Sequence, residues 1–130
     1  MDAKPFDAAQ GKPEPEHIQV AHVLISFAGA GTEATRSKAE AEKLANEVLA
    51  RAKKGDEFSK LIKELSDDSG DGVYGMANAR VKPNAGEYPR QGMVAAFGDV
   101  GFKLEVGGIG MSGFDPQKSP YGWHIIKRVK

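Results

Sequence analysis

From Ile18 to Phe27 the apolar side chains fall on both alternating faces: Ile18, Val20 and Leu24 on one, Ala21, Val23, Ile25 and Phe27 on the other. This predicts a strand covered on both sides, and so central in its sheet. The small-residue stretch Ala28 to Thr32 reads as a loop. Ala41, Leu44, Ala45, Val48 and Ala52 then repeat at helical spacing; Ser37 and Glu40 fit a capping box before them, and Gly55 supplies a stop. Phe58, Leu61, Ile62 and Leu65 follow at i, i+3, i+4 and i+7, a second helix for which Asp56 is the expected cap. Ser66 to Gly72 is turn chemistry, and a short strand is expected over 73–76. Residues 77 to 92 hold Pro83, Gly86, Pro89 and Gly92 and read as a long loop, of the kind that in small domains carries function or moves. Met93, Phe97 and Leu104 are spaced for a short helix over 94–104, which Gly98 and Gly101 weaken. Strands over 107–114 and 123–129, with a turn at 115–120, complete the chain. Residues 1–16, with Pro5, Pro13 and Pro15 among charged side chains, read as a flexible tail, leaving one domain over 17–130. Few strands and interspersed helices predict an α+β fold with a small, mainly antiparallel sheet.

Composition narrows the chemistry. The 130 residues suggest one domain, and a formal net charge of zero argues against nucleic acid or an anionic membrane as the main partner. With no cysteine, disulfides, thiolate catalysis and Cys-ligated metals are excluded. No apolar run approaches the roughly 20 residues of a membrane span. Met1 to Glu16 has no apolar centre, so no signal peptide is read there. A soluble chain is expected. Its compartment stays open, because a disulfide-free protein folds inside or outside a cell.

Two apolar segments each carry one histidine: Ala21-His22-Val23-Leu24-Ile25 and Tyr121-Gly122-Trp123-His124-Ile125-Ile126. An imidazole on a buried strand needs a polar partner. By itself, such a residue is more simply a satisfied core histidine than a reactive one. Trp123 is expected in the core, and Tyr121, two positions away, at the edge of a site. His17 lies at the tail boundary and is expected to be exposed. The three histidines have no metal-ligand spacing, so no metal is expected. The glycine-rich loop at 28–32 lacks the Gly-Lys-Ser/Thr of a nucleotide loop.

The ordered set of motifs resembles the parvulin family of peptidyl-prolyl cis/trans isomerases (rotamases). It begins with His22-Val23-Leu24-Ile25, Thr35-Arg36-Ser37-Lys38-Ala39-Glu40-Ala41 and Gly55-Asp56-Glu57-Phe58. It continues through Leu65-Ser66-Asp67-Asp68-Ser69, Gln91-Gly92-Met93, Phe97 and Phe102-Lys103-Leu104, and closes with Tyr121 to Lys127. The resemblance implies a four-stranded, mainly antiparallel sheet surrounded by helices. It implies that His22 and His124 are the paired active-site histidines, that Asp68 stands where family members carry Cys or Asp, and that Ser119 supplies a hydroxyl to the histidine network. Met93 and Phe97 match the proline-pocket residues, and Tyr74 a pocket position often held by Leu. Two features depart from the family: the segment from Met76 to Arg90 is longer, and Gly98 and Gly101 replace better helix formers.

The reaction implied is rotation about an X-Pro amide, whose barrier of about 18–20 kcal/mol comes from resonance. A catalyst can seat proline in an apolar pocket, remove water from the carbonyl, and bind the twisted amide best. No cofactor is required. Met93, Phe97 and Tyr74 would form the pocket floor and His22, His124 and Asp68 its polar wall. Whether the histidines are a structural pair or transfer protons is open at this point. Phosphate-directed parvulins carry basic residues between the first strand and first helix; residues 26–35 contain none, and Arg36 stands where non-phosphospecific members also have Arg. The expected function is a monomeric, non-phosphospecific isomerase acting on proline-containing, unfolded or flexible polypeptides. The alternatives are a peptide-holding chaperone module on the same fold and an interaction domain using the 77–92 loop.

Overall fold

The central strand lies where its two-faced apolar pattern requires. In the computed structural model, which describes residues 6–7 and 12–130, β3 (His17–Ile25) is third in a five-stranded sheet. Its neighbours are β4 (Val73–Ala77) and β7 (Trp123–Arg128), both antiparallel to it. β6 (Ile109–Ser112) continues the sheet beyond β7, also antiparallel. On the other edge β5 (Glu87–Pro89) pairs with β4 in parallel. The expected four-stranded antiparallel sheet is therefore corrected to a five-stranded mixed one. The extra strand falls inside the stretch read as loop. Three residues ending in a proline give no periodicity, and Pro89 has no N–H with which to extend a ladder.

Helix α1 (Lys38–Lys54) begins at Ser37, with both arms of the capping box formed, and ends at Gly55, whose φ of 109° is the left-handed conformation glycine adopts without strain. It buries Ala41, Ala45, Val48 and Ala52 against one face of the sheet. Helix α2 (Phe58–Leu65) adds Phe58, Leu61 and Ile62 to the same core. Its N-cap is Glu57, with no side-chain cap bond, rather than Asp56, because the Asp56 carboxylate accepts from Arg51 Nε at 2.9 Å instead. Helix α3 (Ala95–Gly101) covers the opposite face. The two glycines that weaken it have steric reasons. A Cβ on Gly98 would lie 2.4 Å from Arg90 Nε, and one on Gly101 would lie 3.2 Å from Ile18 Cδ1.

Most of the expected tail, residues 1–5 and 8–11, lies outside the described residues. Within it β1 (Phe6–Asp7) pairs with β2 (Lys12–Pro13). Asn78, buried just after β4, binds the next residues: its N–H donates to the Glu16 carbonyl (2.8 Å) and its Nδ2 to the Pro15 carbonyl (3.0 Å).

Candidate active site

The strand pleat sends alternate residues of β3 to different surroundings. Ala21, Val23 and Ile25 join Trp123 and Ile125 in the core under α1 and α2, so Trp123 sits as expected. Ile18, Val20, His22 and Leu24 face α3 with His124 and Ile126 of β7 and Tyr74 and Met76 of β4. His124 is the register partner of Leu24, and His22 of Ile126, so the two histidines are diagonal neighbours on one face. Their Nδ1 atoms are 3.3 Å apart, and each residue is 2% exposed.

Asp68 reaches this pair through side chains that extend the sheet beyond the end of β4. The His22 N–H donates to the Gly72 carbonyl (2.8 Å) and the Leu24 N–H to Ser66 Oγ (3.1 Å). The Asp67 N–H returns to the Leu24 carbonyl (2.8 Å), and Asp67 Oδ2 accepts from the Ser26 N–H (2.8 Å). The Ser66–Asp68 turn thus rides alongside β3 and holds Asp68 Oδ2 3.0 Å from His22 Nε2. Asp67, expected to be an ordinary turn residue, is the clamp. It also pairs with Arg36 Nη1 at 2.5 Å, while that nitrogen reaches the Ser26 carbonyl at 3.0 Å.

Charge states follow from these contacts. Burial lowers His22 below its ordinary 6.5, against the opposing pull of Asp68. Burial, with the neighbouring His22, takes His124 down to about 3. Burial pushes Asp68 up, but hydrogen bonds from Tyr74 and His22 outweigh it and leave the carboxyl below its usual value. Tyr74 Oη donates to the same Oδ2 at 2.7 Å, and burial and that bond push the phenol well above its ordinary value. At neutral pH the site therefore holds one carboxylate and two uncharged imidazoles. The carboxylate can only accept, so His22 carries its proton on Nε2, and its Nδ1 accepts from the Nδ1–H of His124. His124 Nε2 is then a bare acceptor. It is buried without a hydrogen-bond partner among the described residues, as is Ser112 Oγ on the register-paired strand.

Tyr74, Met93, Phe97, Tyr121, His22, Asp68 and His124 all line one open cavity of about 310 Å³. Phe97 stands edge-on to His22, with ring centroids 4.6 Å apart, and Tyr121 is 43% exposed at the rim. Seven of the eight residues expected at the site are thus together. Ser119 is the exception. The bridge between Asp115 and Ser119 closes the turn and turns the Ser119 hydroxyl to the Gly113 carbonyl, so it is not bonded to either histidine. His17, expected to be exposed, is tied to Glu87 Oε1 at 2.8 Å. Tyr88 of β5 also lines the cavity, a residue the sequence reading placed in a loop. A second cleft of about 450 Å³ adjoins it, sharing Leu24, Asp68 and Tyr121 and continuing past Thr32, Glu33 and Asp67.

The family model described as PPIC-type PPIASE domain matches residues 7–130. The chain belongs to this family of peptidyl-prolyl isomerase domains. Among curated relatives, it is similar to foldase protein PrsA of Geobacillus kaustophilus: 41% identity over 86 residues, 66% of this chain and 27% of the relative. It is also similar to chaperone SurA of Pseudomonas fluorescens, 30% identical over 117 residues, 90% of this chain and 24% of the relative. The isomerase domain thus spans about a quarter of the length of these relatives. Among solved structures it resembles Pin from the archaeon Cenarcheaum symbiosum, with 32% identity and a TM-score of 0.53, covering 88% of this chain and 93% of that one. No helix among the described residues of the isomerase domain is long and apolar enough to cross a membrane.

Proposed function

We propose that this isomerase domain turns over X-Pro bonds in flexible, unphosphorylated polypeptides, with proline seated in the cavity of Tyr74, Met93 and Phe97. The observation that carries the reading is the pairing of that apolar cavity with a buried, uncharged histidine pair and one fixed carboxylate at its mouth. His124, at about 3, is not suited to proton exchange at neutral pH, and burial holds His22 below its ordinary value. The histidines act as scaffold: His124 orients His22, and His22 with Tyr74 fixes Asp68. Catalysis then rests on desolvating the amide and on binding its twisted form more tightly than either planar isomer.

A phosphate before proline would find no base on the walls. Neither cleft is lined by Lys or Arg, and Glu33, Asp67 and Asp68 line the outer one. Arg36 is held by Asp67 and the Ser26 carbonyl; Arg90 is held by Glu14 and Asp99. The test is cis/trans exchange of matched Ser-Pro and phosphoSer-Pro peptides at low salt. The unmodified peptide is expected to exchange faster with the domain than without it, and the phosphopeptide is expected to gain nothing. Exchange at the uncatalysed rate with a folded protein would leave the peptide-holding and interaction-domain readings. A tenfold phosphopeptide advantage, about 1.4 kcal/mol, would overturn the neutral-substrate reading.

A further inference from the structure

Two departures of this chain from the family pattern, the long segment after Met76 and the glycine at position 98, meet at one side chain outside both clefts. Arg90 follows β5 and opens a single 3₁₀ turn, Arg90–Gly92. Its Nη1 donates to Asn78 Oδ1 (2.9 Å) and to Glu14 Oε1 (3.0 Å), and its Nη2 to Asp99 Oδ1 (3.2 Å). Its guanidinium carbon lies 5.0 Å from the centre of the Phe102 ring. Its stem rests on the bare backbone of α3: a Cβ on Gly98 would sit 2.4 Å from Arg90 Nε and 2.6 Å from its Cγ. A side chain at 98 and the arginine in this place exclude each other.

The anchor of this arginine lies ahead of β3. Glu14 accepts at the same Oε1 from Asn78 Nδ2 (3.3 Å), and the Glu14 and Arg90 side chains are only 9% and 21% exposed. Solvent and salt screen such a pair less than one on the open surface. On its other side Arg90 reaches the pocket. Its carbonyl accepts from the Met93 N–H (3.3 Å), and Phe97 is the residue before Gly98. Helix α3, which carries Phe97, does not fix its own place: it has seven residues, glycines at 98 and 101, and no side-chain cap at Val94. A guanidinium suits the position, because one planar fork serves Glu14, Asn78 and Asp99 while its face covers Phe102. A lysine ammonium has no such fork.

We propose that Arg90 is a positioning residue of the isomerase: anchored by Glu14 and seated on Gly98, it holds Met93 and Phe97 at the distance from the histidine pair that proline binding requires. This rests on the reading of the cavity as the proline pocket. It makes the stretch 14–16, ahead of β3, part of the working domain.

The experiment compares the wild type with Arg90→Lys, Glu14→Gln and Gly98→Ala in the full chain. Exchange of an Ala-Pro peptide gives kcat and KM, and its Kd is read from the Met93 methyl and Phe97 ring resonances. Arg90→Lys is expected to raise KM and Kd about tenfold with kcat nearly unchanged, less than the roughly 10²-fold that a misplacement of about 1 Å costs. Gly98→Ala should do the same, although alanine favours the helix, because its Cβ takes the place of the arginine stem. Glu14→Gln should raise KM less, and in combination with Arg90→Lys should add nothing, as for two residues acting through one contact. Arg51→Lys, in an exposed pair with Asp56, should leave KM as in the wild type. Unchanged KM and Kd in folded Arg90→Lys and Gly98→Ala, whatever their melting temperatures, would reduce Arg90 to a stabiliser of the fold and overturn the proposal. A fall in kcat at constant KM would overturn it too. Should Arg90→Lys fail to fold, Gly98→Ala and Glu14→Gln test the same contact. A wild type that binds the peptide without speeding exchange would count against turnover alone, since the Kd ratios still test the role of Arg90.

Discussion

The two faces of the same sheet bury their side chains by different means. Under α1 and α2, Val23, Ile25, Ala45, Val48 and Ile125 are 0% exposed, and the face presents only hydrocarbon and one indole to the helices. Under α3, His22 and His124 are also almost fully buried, but among rings and a carboxylate, with a chain of polar contacts running from His124 through His22 to Asp68 and Tyr74. The first face needs volume and shape, which many apolar side chains supply. The second needs particular partners, because each removed member leaves another polar atom buried and unpaired. Stability should therefore concentrate on one face and function on the other.

The largest expected effect tests the apolar face. Ile125→Ala should cost about 2–5 kcal/mol, the range for emptying a buried aliphatic site, and leave kcat/KM per folded molecule unchanged. Urea unfolding and exchange assays at low temperature measure the two. A loss of kcat/KM matching that of a histidine variant would erase the division between faces.

Next come the histidines. His22→Ala and His124→Ala should each lower stability by about 1–3 kcal/mol, because the remaining ring loses its partner. They should also lower kcat/KM, by up to about 10²-fold, the cost of a misplaced positioning group. Wild-type melting temperatures for both would show that the rings do not depend on each other.

Acid should weaken only the polar face. Both imidazoles are held below their ordinary 6.5, His124 at about 3, so the unfolded chain takes up protons that the folded one refuses. This stability is complete above about pH 7 and falls as the pH drops below 6.5, with a limiting slope of about 1.4 kcal/mol per pH unit from His124. Between pH 7 and 5, above the carboxylate range, unfolding free energy should decline in the wild type and less in His124→Ala. Equal slopes for the two proteins would mean that His124 is not buried in its neutral form.

The smallest effect is expected at Ser112. Its hydroxyl is buried with no partner among the described residues, so Ser112→Ala removes an unpaired polar atom and should change stability by less than about 0.5 kcal/mol in either direction. A loss above 1 kcal/mol would reveal a bond from this hydroxyl that the His22–His124 arrangement does not contain.

Much of this was legible along the chain. Apolar period placed β3 at the centre of the sheet, and the Ser37–Glu40 box and Gly55 fixed both ends of α1. The site residues that the resemblance implied line the cavity, Ser119 excepted, but Tyr88, which lines it too, was not among them. These signals are local: period reports burial, and caps report where backbone groups need partners. What tertiary structure alone decided was pairing. A one-residue slip of β7 against β3 would send His124 to the other face, and no residue in either strand announces the register. Asp68 meets His22, 46 positions away in sequence, only because Ser66 and Asp67 stitch their turn to β3. Arg36 was visible as a charge, but only its contact with Asp67 shows that charge to be occupied. β5 and Tyr88 left no periodic signal, because three residues are too few to show one. They are held by side-chain contacts of His17 with Glu87 and of Arg90 with Glu14, 70 and 76 positions apart, which exist only once the sheet has brought those ends of the chain together.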